Sequence, residues 1–210
     1  MDTLIKPSIL ALTIASALSA NANAEIIISQ YVEGGAYNKA VEIANTGDTA
    51  VTLTGYELAK SSNGGGSWGS TLDLSDVTLQ AKQVYVLAHG DASEAIKAVA
   101  DYTDKNVANF NGDDPLALLK DGEVHDILGV MGDVDFAKDT TLVRNSDALT
   151  PSTTYQSTQW TALPKDNIDG LGELNTTEPP APFACEVDGQ EPAFTTIQEI
   201  QGEGASSPFI

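Results

Sequence analysis

Apart from its carboxylates, the residues of this sequence that could do chemistry are few and scattered. Histidine occurs only at His89 and His125, arginine only at Arg144 and cysteine only at Cys185. Hydrolysis of a phosphodiester needs several Asp, Glu, His and Asn ligands gathered around a metal, or a histidine base that activates water. His89 closes an apolar run just before Gly90, and His125 follows a hairpin signal, positions at which a histidine is ordinarily exposed or bonded to backbone. No catalytic residue and no organic cofactor site is assigned.

Carboxylates and amides do cluster. Asn109, Asn111, Asp113 and Asp114 carry hard oxygens at close spacing, Asp133 and Asp135 repeat the idea, and Asp166-Asn167-Ile168-Asp169-Gly170 is a further run. Calcium would suit Asn109, Asn111, Asp113, Asp114, Asp133 and Asp135, yet none of these runs matches the twelve-residue calcium loop with its terminal glutamate. The same residues make turns without any ion. Trp68, in a Gly- and Ser-rich stretch, is a candidate for stacking on a ligand or for folding back over the domain, whereas Trp160 in an apolar stretch reads as core.

The elements that must position these residues are short strands. Ile26 to Val32 is a β-branched run, and Lys39 to Asn45 alternates with Val41 and Ile43 on one face and Glu42 on the other. Asn45 to Asp48 is turn chemistry leading into Val51 and Leu53, then Tyr56 and Leu58. Ser61 to Ser70 reads as a surface loop, Val84 to His89 as a strand, and Asp91 to Ala100 as one short helix capped by Asp91 or Ser93. Leu116 to Lys120 and Glu123 to Val130 flank Asp121-Gly122, a two-residue hairpin signal. Asp126 falls on the same face as Val124 and Leu128, so either a bulge corrects the register or the carboxylate is buried and bonded to backbone amides. With Thr141 to Arg144 and Thr158 to Leu163 the expectation is eight to ten strands: an all-β, two-sheet sandwich with one short inserted helix.

The chain opens with Lys6, an apolar run from Ile9 to Leu18 and the small residues Ala22-Asn23-Ala24, the pattern of a secretory signal over residues 1–24 cleaved before Glu25. The run falls short of the about 20 apolar residues a membrane span requires. The mature chain is therefore expected outside the cytoplasm, secreted or at the cell surface, with no membrane-spanning segment. Thirty acidic against ten basic residues give a formal charge of -20, which should repel DNA and keep the protein dispersed. Residues 175–194 form a proline-rich linker, and 195–210 read as the first strand and turn of a second domain. Cys185, unpaired in an oxidising compartment, is expected to pair with a cysteine elsewhere in a longer parent.

Three blocks together resemble the lamin-tail domain: Ile26 to Val32 followed by Val41 to Asn45, Phe110 to Gly122, and Trp160 to Lys165. That family is an immunoglobulin-like sandwich that also occurs at the N-termini of secreted bacterial nucleases of the ExeM type, and the resemblance extends from Glu25 to about Gly172. The run Ile197 to Pro208 is similar to the opening of the OB-like domain that follows it in such nucleases. The resemblance implies a lamin-tail domain over 25–174 acting as a non-catalytic accessory module. Its partners would be downstream OB-like and metallophosphoesterase-like catalytic domains, the latter using Mg or Mn. The rival reading is a stand-alone adhesion or carbohydrate-binding sandwich, favoured by the acidic surface and Trp68.

Overall fold

The computed structural model describes residues 25–132 and 134–176. The expected signal segment, Asp133, the linker beyond Thr176, Cys185 and the run 195–210 lie outside them. The strands begin with β1 (Ile26–Glu33), β2 (Lys39–Asn45), β3 (Val51–Thr52) and β4 (Tyr56–Lys60). There follow β5 (Ser70–Asp73), β6 (Thr78–Leu79), β7 (Val84–Ala88), one helical turn α1 (Glu94–Lys97) and β8 (Tyr102–Thr103). The last are β9 (Leu116–Lys120), β10 (Glu123–Leu128), β11 (Thr140–Arg144) and β12 (Trp160–Pro164).

The twelve strands among the described residues exceed the eight to ten expected. β3, β6 and β8 are two-residue pairings, too short to show an alternating pattern, and β5 has Leu72 as its only apolar residue. The helix is shorter than the predicted 91–100. Ser93 caps it by accepting from the Ile96 N–H, and Ile96 is the one buried residue of the turn, so little packing exists to extend it. No helix among the described residues is long and apolar enough to cross a membrane.

The strands form an immunoglobulin-like sandwich. One sheet runs β12-β11-β1-β2-β7-β8 and the facing sheet β10-β9-β4-β5, while β3 and β6 pair separately. All pairings are antiparallel except β7 with β8. The β9–β10 hairpin turns at Asp121 and Gly122, whose φ angles of 51° and 85° are both positive, as a two-residue turn matched to strand twist requires. Ile28, Tyr31, Ile43, Leu58, Leu118 and Leu128 belong to the core between the sheets.

β1 and β2 are buried at every position, so the six-stranded sheet is covered on its outer face too. α1 supplies Ile96 to that cover, and the segment 166–175 supplies Ile168, Leu171 and Leu174. This third layer explains why β1 reads as continuous Ile26-Ile27-Ile28 rather than as alternation: its side chains meet apolar partners on both faces. The outer face of the four-stranded sheet is closed instead by Trp68, laid against Ala59, Ala117 and Leu119.

Candidate functional site

Each of the two histidines is tied into its own sheet. His89 follows β7, its Nδ1 accepts from the Asp91 N–H at 3.0 Å, and its ring stacks on Tyr37 with centroids 4.5 Å apart. Burial pushes its pKa down, against the pull of Asp91. His125 sits edge-on to Tyr56 at 5.3 Å on the four-stranded sheet. Among the described residues no three His, Cys, Asp or Glu side chains converge to hold a metal.

Asn109, Asn111 and Asp114 gather at one end of the sandwich, beside a polar hollow of about 320 Å³ that Lys39, Lys60 and Asn63 also line. Asp114 is buried there as a brace between loops. One of its oxygens accepts from the Asn63 N–H at 2.6 Å and the other from the Asn111 N–H at 3.1 Å. The Asn111 amide, oriented to satisfy its surroundings, donates to Asp113 and Asp114. The Asn109 carbonyl accepts from Lys60, and Asp135 pairs with Lys138. Trp68 has its ring against the sheet, and Trp160 is 7% exposed with the Arg144 guanidinium 5.0 Å above it.

Asp126 follows the second of the two alternatives: the carboxylate is buried and bonded to backbone amides, although its strand also carries a bulge. β10 carries a bulge between Val124 and Asp126, so Asp126 stands opposite Leu118 while Val124 stands opposite Leu119. The bulge turns Val124 outward rather than Asp126, and the carboxylate is fully buried. One oxygen accepts from the Ile28 N–H and the other from the Ser152 N–H, each at 2.8 Å. Arg144 faces it at 3.4 Å, with its remaining donors on the Ala148 and Thr150 carbonyls. Burial pushes the Asp126 pKa up, while Arg144 and the two amides pull it back. The chain's one arginine is therefore spent on fixing the 145–152 loop to the sandwich.

Glu42 is the residue that alternation alone misplaces. It occupies the polar face of β2 as predicted, but that face lies under the 166–175 segment and Glu42 is 1% exposed. A bulge in β1 between Ile28 and Gln30 puts Ser29 and Gln30 together on this outer face, since Ile28 and Tyr31 both stay in the inter-sheet core. Ser29 Oγ lies 2.6 Å from one Glu42 oxygen, and the Gly172 N–H donates to the other at 2.7 Å. Gln30 donates to the Asp169 carbonyl. No cation pairs with Glu42 among the described residues, and Asp101 and Glu173 add negative charge around it. Desolvation dominates and its pKa is pushed up to about 7. The sparse signal for this site was Gly172, whose φ of 97° suits glycine and presents the amide that Glu42 accepts.

In a comparison with known families the lamin tail domain model fits residues 19–132 of the 210. No curated protein matches the chain. The matched stretch ends before β11 and β12, which nevertheless complete the six-stranded sheet beside β1.

Proposed function

We propose, from the premise that this chain belongs to the lamin tail domain family, that it is the non-catalytic accessory module of a secreted bacterial nuclease of the ExeM type. In this role it positions or stabilises the catalytic part at the cell surface or in the surrounding medium. The observation that carries the reading is how its polar groups are used. Asp114, Asp126, Arg144 and His89 each brace loops or backbone. Phosphodiester cleavage needs positive charge facing the developing phosphorane, supplied by metal or by arginine and lysine.

The resemblance of Ile197 to Pro208 to an OB-like opening supports the nuclease context, and in such a parent Mg or Mn would act in the catalytic domain. The charge of -20 makes direct DNA binding by the module unfavourable. Adhesion through Trp68 is the weaker reading, because that ring already packs on Ala59, Ala117 and Leu119.

A plasmid-nicking assay with Mg, Mn or Ca tests the reading. The chain alone should leave plasmid intact, whereas the protein encoded by the reading frame continued beyond Ile210 should cut it. Metal-dependent nicking by the chain alone, lost on Asp113→Asn with Asp114→Asn, would overturn it. Secretion is checked by N-terminal sequencing of the exported protein, expected to start at Glu25.

A further inference from the structure

The segment 166–175 is attached to the outer face of the six-stranded sheet by a few discrete contacts. Ile168 and Leu171 pack on the patch that includes Val32, Ala40 and Val86, and Leu174 on Ile27, Ala44 and Val84. At its ends Asp166 accepts from Gly35 and Asn38 and Asn175 donates to the Arg144 carbonyl; between them Thr141 donates to the Asn167 carbonyl, Gln30 to that of Asp169, and Gly172 to Glu42. Hollows of about 450 and 420 Å³ border the segment on its two sides, the first lined by Gln30, Val143 and Leu163, the second by Lys82, Val99 and Asp101. Water therefore has a route to both flanks, and the apolar side chains of the segment pack outside the core between the sheets.

At the centre of this attachment lies a carboxyl with no counter-charge. In the neutral form its hydrogen bonds close completely: the acid proton goes to Ser29 Oγ at 2.6 Å, the Ser29 hydroxyl turns to the Glu42 carbonyl at 3.3 Å, and the other carboxyl oxygen keeps the Gly172 N–H. In the ionised form one hydroxyl and one amide are left to support a buried charge, which is costly without a paired cation.

The groups around Glu42 offer no relief. β1 contributes Ser29 and Gln30, β7 contributes Val86 opposite, the turn before α1 contributes Ala92, and α1 contributes Ile96. Among the described residues the charged groups acting on it are Asp101 after α1 and Glu173 on the segment itself, both negative. Lys97 on α1 is paired with Glu94, and Lys82 at the rim with Asp48.

We propose that Glu42 is a proton-operated latch: neutral, it holds the 166–175 segment down on the sheet, and ionised, it lets that segment lift.

Amide hydrogen exchange followed by NMR on the full chain from pH 4.5 to 8, corrected for intrinsic rates, tests this. The Gly172 and Leu171 amides should lose up to about tenfold protection per pH unit between pH 5 and pH 7 and level off above it. The Ile28 amide, bonded to Asp126 with Arg144 opposite, should lose less protection and serves as the internal comparison. Glu42→Gln, which keeps an acceptor for Gly172 and a donor for Ser29, should abolish the dependence. A profile at Gly172 in the parent protein that is flat between pH 5 and pH 7, or an unchanged slope in Glu42→Gln, would overturn the proposal. Should Glu42→Gln fail to fold, the carbon-13 titration of the Glu42 carboxyl in the parent protein decides: a midpoint near 7 supports the latch and one near 4.5 rejects it.

Discussion

Asp126 and Glu42 are both sealed from solvent, at 0% and 1% exposure, yet one faces a guanidinium and the other faces two further carboxylates. Asp126 accepts from two backbone amides and is opposed by Arg144, whose other donors are satisfied by carbonyls. Every member of that group has a partner, so it acts as a fixed pin between β1, β10 and the 145–152 loop. Glu42 has a hydroxyl and an amide but no cation, so its best state is the neutral one. The same residue class, equally buried, gives a permanent joint where a counter-charge is present and a titrating joint where it is not.

The largest effect that would sharpen this contrast comes from Asp126→Ala. It leaves Arg144 buried without its carboxylate and the Ile28 and Ser152 amides without their acceptor, and should cost about 3–5 kcal/mol. Urea denaturation measures it, and a loss below about 1 kcal/mol would show that Arg144 finds other partners.

Next is the pH dependence of stability. The Glu42 pKa in the folded state is raised from 4.5 to about 7, so the folded form holds its proton more tightly than the unfolded chain does. The resulting contribution is fully present below pH 4.5 and is lost as pH rises to about 7, a change on the order of 3 kcal/mol. Asp126 shifts in the same direction, so Glu42→Gln should remove only part of the slope between pH 5 and pH 8. Denaturation midpoints at those two pH values measure it, and equal slopes in both proteins would break the contrast.

The smallest effect separates the two serines. Ser29→Ala deletes the hydroxyl beside Glu42 and should cost about 1 kcal/mol at pH 6. Ser152→Ala preserves the N–H and carbonyl that serve Asp126 and Ile127, and should stay within about 0.5 kcal/mol in thermal melts. The reverse order would mean that side chains, not backbone, hold the pin.

Much of this was legible in the sequence wherever one residue decides its own conformation. Asp121-Gly122 declares a hairpin because both residues tolerate positive φ, and Ser93 declares a cap. Asp126 announced itself by clashing with the alternation of its strand. The rest depends on partners distant in the chain. The bulges after Ile28 and Val124 exist only relative to β2 and β9, and no local pattern marks the extra residue. Glu42 looks like an ordinary solvent-facing strand residue until the segment 166–175, with Ile168, Leu171 and Leu174 spaced too thinly to form a periodic element, is laid over it. Asp166 to Gly170, taken from sequence as a turn with ion-binding potential, anchors the start of that cover: Asp166 accepts from the Gly35 and Asn38 amides.

The position of β1 has a consequence for how the chain reaches this structure. On one side β1 pairs with β2, a neighbour in sequence, but on the other it pairs with β11, where Gln30 meets Val143 more than a hundred residues away. Closing so large a loop is slow relative to local pairing, which places this topology among the slower small folds. Until β11 arrives, the apolar run Ile26 to Val32 presents an open edge of the kind that recruits other chains. Acidic residues then act before the native state exists: mutual repulsion at a charge of -20 keeps half-folded copies apart while that edge waits for its partner.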